Sequence, residues 1–407
     1  MGSISYYEKW KWGRVAKKID ALLNDKLQNI EWGEYKIGDL FDVDSWIYGK
    51  NKNWITRNEN KSYNSLPVIS GITINNGVSY YTNDEADAED VFQDSLTIST
   101  RGEYSGTVTY HDGKFLLANN ILVMKMDNLT KRQKIFIGSL INNLGYGGYS
   151  GYPRKETLEN DMIKLPINKG KIDFKFMESF IAELESQCVA ELDAYLNVTG
   201  LKDYKLIDVE INAIDYLKKV KWQEFKMGDL FERIKTKKLP YKAKELPKEP
   251  KDNYILPLLT SSFMNQGLNY YAPETNATVL KNVITIPSNS DIYRSYYQSR
   301  EFSVLSDAYA IEWKNKDIEL NPNGYLFAVS CINKVTDLPI YSYKNKLGGW
   351  NVVKNKYIKL PVDKNGEIDF NYMEDLTQAI KKLVIKDVVK YSDKKLEITK
   401  EVVKHTR

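Results

Sequence analysis

Two stretches of this 407-residue chain are near copies of each other, and that duplication limits its architecture more than any other feature. EWGEYKIGDLF (31–41) returns as KWQEFKMGDLF (221–231), an offset of 190 residues that superposes Trp32 on Trp222, Gly38 on Gly228 and Phe41 on Phe231. At the same offset LPVISGITINNGVSYYT (66–82) meets LPLLTSSFMNQGLNYYA (256–272). SLTIST (95–100) then answers NVITIP (282–287), and IKLPINKGKIDFKFMESF (163–180) answers IKLPVDKNGEIDFNYMED (358–375). The matches keep their order while the offset drifts between them, as when loops change length and a scaffold does not. The chain is therefore one unit written twice.

Each copy opens with an extended segment, runs through short strand-like stretches punctuated by Gly, Asn and Pro, and closes with a helix. The copies are thus α+β. In the first closing helix Met177, Ile181, Leu184, Cys188, Leu192 and Tyr195 recur at steps of four and three. In the second, Met373, Leu376, Ile380, Leu383, Val388 and Tyr391 do nearly the same, which predicts an apolar seam of coiled-coil type. Asp173 and Asp369 stand where N-caps belong. A further stripe, Ile19, Leu23, Leu27 and Ile30, precedes the first copy and aligns with Val209, Ala213, Leu217 and Val220 before the second. The predicted layout is an N-terminal helix (1–30), a first domain (31–172), central helices (173–220), a second domain (221–368) and a C-terminal helix with a tail (369–407), the helices sharing a spine. The helix 174–197 would be about 36 Å long at 1.5 Å per residue, close to one turn of B-DNA.

Composition removes several chemistries. His111, His405, Cys188 and Cys331 are the only His and Cys residues, scattered along the chain, so no Cys/His zinc site and no disulfide framework can be built. Two lone cysteines suit a reducing compartment and hence a cytoplasmic protein. A Ser-His-Asp site would have to use His111 or the near-terminal His405. No Gly-x4-Gly-Lys-Ser/Thr loop and no Gly-x-Gly-x-x-Gly turn occurs. Mean hydropathy is −0.48 and no apolar stretch approaches the ~20 residues of a membrane span. The N-terminus lacks the apolar core of a secretory signal.

The duplicated scaffold resembles the specificity (S) subunit of Type I restriction–modification systems, over about residues 8–391. EWGEYKIGDLFDV and KWQEFKMGDLFERI are openings of that kind, and FKFMESFIAELESQCVAELDAYLNVTGLKDY is similar to the BcgI-like Type IIB specificity subunits. The resemblance implies two similar target-recognition domains separated by long helices in an antiparallel coiled-coil spine, with pseudo-two-fold cyclic symmetry. It further implies recognition of a bipartite double-stranded DNA target, no catalytic centre in this chain, and docking of methyltransferase or restriction subunits on its helices. S-adenosylmethionine and Mg²⁺ would then be bound only by those partners.

A DNA reader needs cations for phosphates and Arg, Lys, Asn or Gln for base edges. The overall charge of +4 conceals local excesses. RIKTKKLPYKAKELPKEPK (233–251) has eight Lys/Arg against two Glu, and the matching insert YGKNKNWITRNENK (48–61) has four against one. These are the places where the copies differ most, as two readers of different half-sites should; a solvated loop is the plainer alternative. They nominate Lys50, Lys52, Arg57 and Lys61, and Lys235, Lys237, Lys238 and Lys242. A second pair of segments, STRGEYSG (99–106) and PSNSDIYRSYYQSR (287–300), nominates Arg101, Arg294 and Arg300. A third, GYGGYSGYPRK (145–155) and YSYKNKLGGW (341–350), nominates Arg154, Lys155, Lys344 and Lys346.

Enzymatic alternatives rest on short patterns. Glu312-Trp313-Lys314, with Asp291 and Asp307 upstream, has the Glu-x-Lys spacing of metal-dependent nucleases. Asn321-Pro322-Asn323-Gly324 shares two letters with an amino-methyltransferase motif. A pseudo-symmetric protein-binding scaffold with Tyr-rich faces is the remaining alternative.

Overall fold

The computed structural model describes residues 23–50, 54–148 and 151–405, the side chains of 399–405 excepted. The chain divides into two compact units, one formed by residues up to Leu192 and from Lys395 onward, the other by Asp193–Lys394.

In the first unit the strands are β1 (Glu31–Lys36), β2 (Ile47–Tyr48), β3 (Leu66–Ile69), β4 (Val78–Thr82), β5 (Phe92–Ser99), β6 (Val108–Leu117), β7 (Ile121–Met124), β8 (Met162–Asn168) and β9 (Lys171–Ile172). β1 pairs antiparallel with β8, so the opening and closing motifs of the copy are zipped together. The main sheet runs β2-β7-β5-β6-β3-β4, with β3 and β6 parallel. The helix Lys131–Asn142 lies on it so closely that a Cβ on its Gly138 would come within 2.8 Å of Leu96 and 3.3 Å of Val108.

The second unit repeats this with β10 (Lys221–Lys226), β11 (Phe231–Arg233), β12 (Leu256–Leu259), β13 (Leu268–Ala272), β14 (Val283–Pro287), β15 (Tyr296–Gln298), β16 (Ser303–Val304), β17 (Ala308–Trp313) and β18 (Tyr357–Val362). β10 pairs with β18 in the same register as the first clasp: Trp222 faces Pro361 as Trp32 faces Pro166. Even the cross-strand charge pair recurs, Glu34–Lys164 at 3.5 Å and Glu224–Lys359 at 3.9 Å. Strand order is also the same, β11-β17-β14-β15 and β16-β12-β13. Two differences stand out: the long β6 is replaced by the short β15 and β16, with Phe302 just before β16 bridging back to Leu280, and β9 is reduced to an isolated Val362–Ile368 bridge.

The residues shared by the copies are the ones that build these cores. Trp32 stacks on Phe136 of the helix Lys131–Asn142 (6.5 Å, 16°), and Trp222 stacks on Phe327 of the helix Pro322–Thr336 (6.1 Å, 16°). Ile37 and Met227, Leu165 and Leu360, and Met177 and Met373 are fully buried at matching positions. Gly38 is required because a Cβ there would sit 2.9 Å from the Glu159 carbonyl; at Gly228 the Lys354 carbonyl would be 3.0 Å away. Each clasp leads into a long helix, Phe174–Val198 and Phe370–His405. Asp173 accepts a hydrogen bond from Phe176 N (2.8 Å) and Asp369 from Tyr372 N (2.9 Å), so both N-caps are made as expected.

The predicted apolar seams need correction. In the first helix Met177 and Ile181 are buried and Leu184, Cys188 and Leu192 half-buried, but Tyr195 is exposed and the buried face continues through Val189 and Leu196. In the second, Met373 and Leu376 are buried, whereas Ile380, Leu383, Val388 and Tyr391 are exposed. Its inner face instead carries Ala379, Lys382, Val389 and Ser392. The cause is a buried ion pair: Lys382 Nζ lies 2.9 Å from Glu210 of the helix Asp208–Tyr216 and 3.1 Å from Asp203, and donates to the Lys205 carbonyl (2.9 Å). Burial alone would lower the Lys382 ammonium, but its hydrogen bonds to Glu210 and Asp203 raise it. A count of apolar residues assigns such a lysine to the solvent side. Of the stripes before each domain, Leu23, Ala213 and Val220 are buried, Val209 and Leu217 are exposed, and Ile19 lies outside the described residues.

Candidate nucleic-acid interface

The two basic inserts are surface loops anchored by their few apolar residues. In the first, Trp54 is buried with Val68 and Leu116. Asp84, just past β4, accepts hydrogen bonds from Ile55 N (2.5 Å), Thr56 N (3.2 Å) and Thr56 Oγ1 (2.5 Å). These bonds, the Thr56 hydroxyl foremost, hold its carboxyl below the ordinary range. Held this way, the insert presents Arg57, whose guanidinium lies 5.0 Å from the Tyr80 ring while remaining exposed. Lys50 and Lys61 are exposed as well; Lys52 lies outside the described residues. In the second insert Leu239 and Leu246 are buried beside Leu258 and Ala272. Lys235, Lys237, Lys238 and Lys242 all face solvent between and around these anchors.

The second and third candidate segments, far apart in sequence, meet in both units. In the first, Ser105 Oγ donates to the Gly148 carbonyl (3.0 Å) and Gly148 N to the Glu103 carbonyl (3.3 Å). Gly106 permits the contact, since a Cβ there would lie 2.4 Å from that of Tyr146. Arg101 stands exposed beside this junction; its carbonyl accepts from Ser99 Oγ (3.4 Å), and its guanidinium makes no hydrogen bond or ion pair among the described residues. In the second, Tyr343 N donates to Asp291 (2.9 Å), and buried Tyr293 meets Tyr341 edge-on at 6.0 Å. Lys344 and Arg300 are exposed, and Lys346 lies 4.9 Å from the Tyr343 ring.

Among the described residues the charged groups of three nominated cations have hydrogen-bond or ion-pair partners, the first being that of Arg57, whose Nε donates weakly to the Trp54 carbonyl (3.5 Å). Arg294 Nε is 2.7 Å from Asp337 at the end of the helix Pro322–Thr336, so it must exchange that carboxylate for any DNA contact. Lys155 donates to the Asp44 carbonyl (2.8 Å) and leans over Tyr48, pinning the helix Lys155–Asn160 that follows Arg154, itself exposed.

The patterns that suggested catalysis have structural explanations. Glu312 pairs with Lys316 (2.8 Å), and Asp291 is occupied by Tyr343 N; these carboxylates form no cluster with Asp307. Among the described residues the one group of three potential metal ligands is Asp87, Glu89 and Asp90, all on the surface side of one turn. Asn321 caps the helix Pro322–Thr336 by accepting from Gly324 N (2.9 Å), with Pro322 in the first turn. His111 is buried against Phe115 and bonds Thr97 (2.8 Å); burial pushes it down to about 4, so it is neutral near pH 7. Burial likewise raises the Cys331 thiol to about 11. No described helix is long and apolar enough to cross a membrane.

The family model for the Type I restriction modification DNA specificity domain matches residues 29–194 and again 219–391. The BcgI specificity subunit of a Type II restriction enzyme from Heyndrickxia coagulans is 24% identical over 361 residues, 88% of this chain and 96% of that one. A putative type I specificity subunit of Mycoplasma pneumoniae is 26% identical over 278 residues, 67% of this chain and 70% of its own. The crystal structure of a Type-I restriction-modification system S subunit from M. genitalium shares the fold, with a TM-score of 0.52 at 15% identity over 93% of this chain and 95% of that one. Two matches to one family model, falling on the two copies that clasp, core and strand order had already paired, place the chain in the family of the Type I restriction modification DNA specificity domain, alongside the specificity subunits of restriction–modification systems that it resembles.

Proposed function

We propose that this specificity subunit reads a bipartite double-stranded DNA target, one half-site per unit, and carries methyltransferase or methyltransferase–nuclease subunits on its helices. Membership of the family makes it a DNA recognition subunit, not an enzyme on its own. The observation that carries the bipartite reading is the retention of strand order and clasp register in both units while their basic inserts diverge completely. A scaffold held constant with variable surface loops suits two readers of unlike sequences. Lys50, Arg57, Lys61, Arg101 and Arg154 would serve the first half-site. Lys235, Lys237, Lys238, Lys242, Arg294, Arg300, Lys344 and Lys346 would serve the second. Ile380, Leu383, Val384 and Val388, exposed at helical spacing on Phe370–His405, support that helix as the docking face. S-adenosylmethionine and Mg²⁺ belong to the partners in this reading.

Methylome sequencing of cells carrying the chain with its methyltransferase partner tests it. A split motif of two short specified blocks around an unspecified spacer is expected. A continuous motif would refute the one-unit, one-half-site reading, and no sequence-dependent methylation would refute DNA recognition itself.

A further inference from the structure

The hairpins β3–β4 and β12–β13 are closed by one and the same unusual turn. Asn75, Asn76 and Gly77 all take positive φ (50, 52 and 79°), and so do Asn265, Gln266 and Gly267 (51, 52 and 92°). Left-handed backbone is costly for an L-residue; Asn tolerates it best, and Gln has no such advantage. Tight hairpins are ordinarily closed by two residues, so strand pairing alone does not demand this loop. Ser70 N bonds the Gly77 carbonyl (2.8 Å) and Thr260 N the Gly267 carbonyl (2.9 Å), giving both loops the same base.

Both loops are packed against a neighbouring segment of their own unit. In the second unit Ser290 Oγ donates to the Ser261 carbonyl (2.9 Å), Tyr296 OH to the Phe263 carbonyl (2.9 Å) and Gln298 Nε2 to the Gln266 carbonyl (3.0 Å). In the first, the loop base presses so close to the end of β5 that a Cβ on Gly71 would lie 2.7 Å from Ser99 Oγ and 3.7 Å from the Arg101 carbonyl. Each loop therefore adjoins the Arg-bearing segment of its own unit.

The tips carry what the turn itself does not need. Ile74 is 74% exposed and Met264, its counterpart, 49%. The side-chain amides of Asn75, Asn76, Asn265 and Gln266 make no hydrogen bond among the described residues. Asn and Gln are the side chains that pair bidentately with adenine N6 and N7, and an apolar group suits the thymine methyl beside them. We propose that the two turns are base-reading tips, the amides of Asn75–Asn76 and Asn265–Gln266 reading an A·T pair in each half-site with Ile74 and Met264 against the thymine methyl. The inference rests on the DNA-reading function above and adds its specificity-determining residues.

Glycine keeps positive φ and removes the amide, so Asn75→Gly/Asn76→Gly and Asn265→Gly/Gln266→Gly are the informative variants. Asn75→Asp is a second probe, since Asp also tolerates the turn but accepts where Asn donates. The full chain, in complex with its methyltransferase subunit, is used to select from duplex DNA of randomised sequence, and enriched motifs are compared. Each double variant should lose roughly tenfold or more of its A·T preference in one half-site, leaving the other half-site intact. Asn75→Asp should move that preference off adenine. If the parent selects a split motif and all three variants select the same one, the turns are structural and the inference is overturned. If the parent selects no motif, the DNA-reading function fails and the inference with it.

Discussion

Arg101 and Arg294 occupy corresponding turns but differ in what DNA would have to displace. The Arg101 guanidinium has no partner among the described residues, while Arg294 is committed to Asp337, whose hydrogen bond keeps the guanidinium firmly protonated. Arg101→Ala should therefore lower cognate-over-scrambled discrimination by ~1–3 kcal/mol in gel-shift titrations, and Arg294→Ala by less. Equal binding of both DNAs by parent and Arg101→Ala would remove Arg101 from the site. His111 gives a second test at this scale. Its folded-state value of about 4 lies below the ordinary 6.5, so stability is complete above pH ~6.5 and is lost as pH falls toward 4. The loss should reach at most roughly 3 kcal/mol, read as a falling melting temperature. His111→Gln should flatten that dependence; an unchanged slope would show that other groups cause it. The nominated cations were legible as residue types, but their partners were not, because Asp337 and Asp44 lie 43 and 111 positions away in the chain.

At the scale of single elements, local rules read well and tertiary ones did not. The N-caps follow from sequence because an Asp and the amide it caps are three residues apart. Asp173→Ala and Asp369→Ala should each cost about 1 kcal/mol in denaturant unfolding, and no change in either would mean that water or another residue caps the helix equally well. The face of Phe370–His405 was misread because Lys382 is inside it. Lys382→Ala would leave the Glu210 carboxylate buried and unpaired, which costs about 3–5 kcal/mol. A loss below 1 kcal/mol in the same unfolding measurement would show that water reaches the pair. The inserts were legible as basic, but not the Asp84 clamp, whose counterpart in the second copy is Glu274.

Across the whole molecule, the duplication was legible from the start because the repeated letters are the core itself: Trp32 and Trp222, Ile37 and Met227, Leu165 and Leu360. The break of the long β6 into two strands left no such trace. Replacing Lys237 and Lys238 by Ala should weaken binding to every DNA sequence alike and lower the salt slope by about two. An unchanged slope in titrations at several salt concentrations would place both lysines off the DNA. The clasp has one more consequence. Because β1 meets β8 and β10 meets β18 residue for residue, the chain enters and leaves the sheet region of each unit through neighbouring strands at a fixed junction. Everything between the strands is a cassette: a different recognition loop set can be spliced in without moving either cut end, so new target specificities can arise by exchange instead of by gradual substitution.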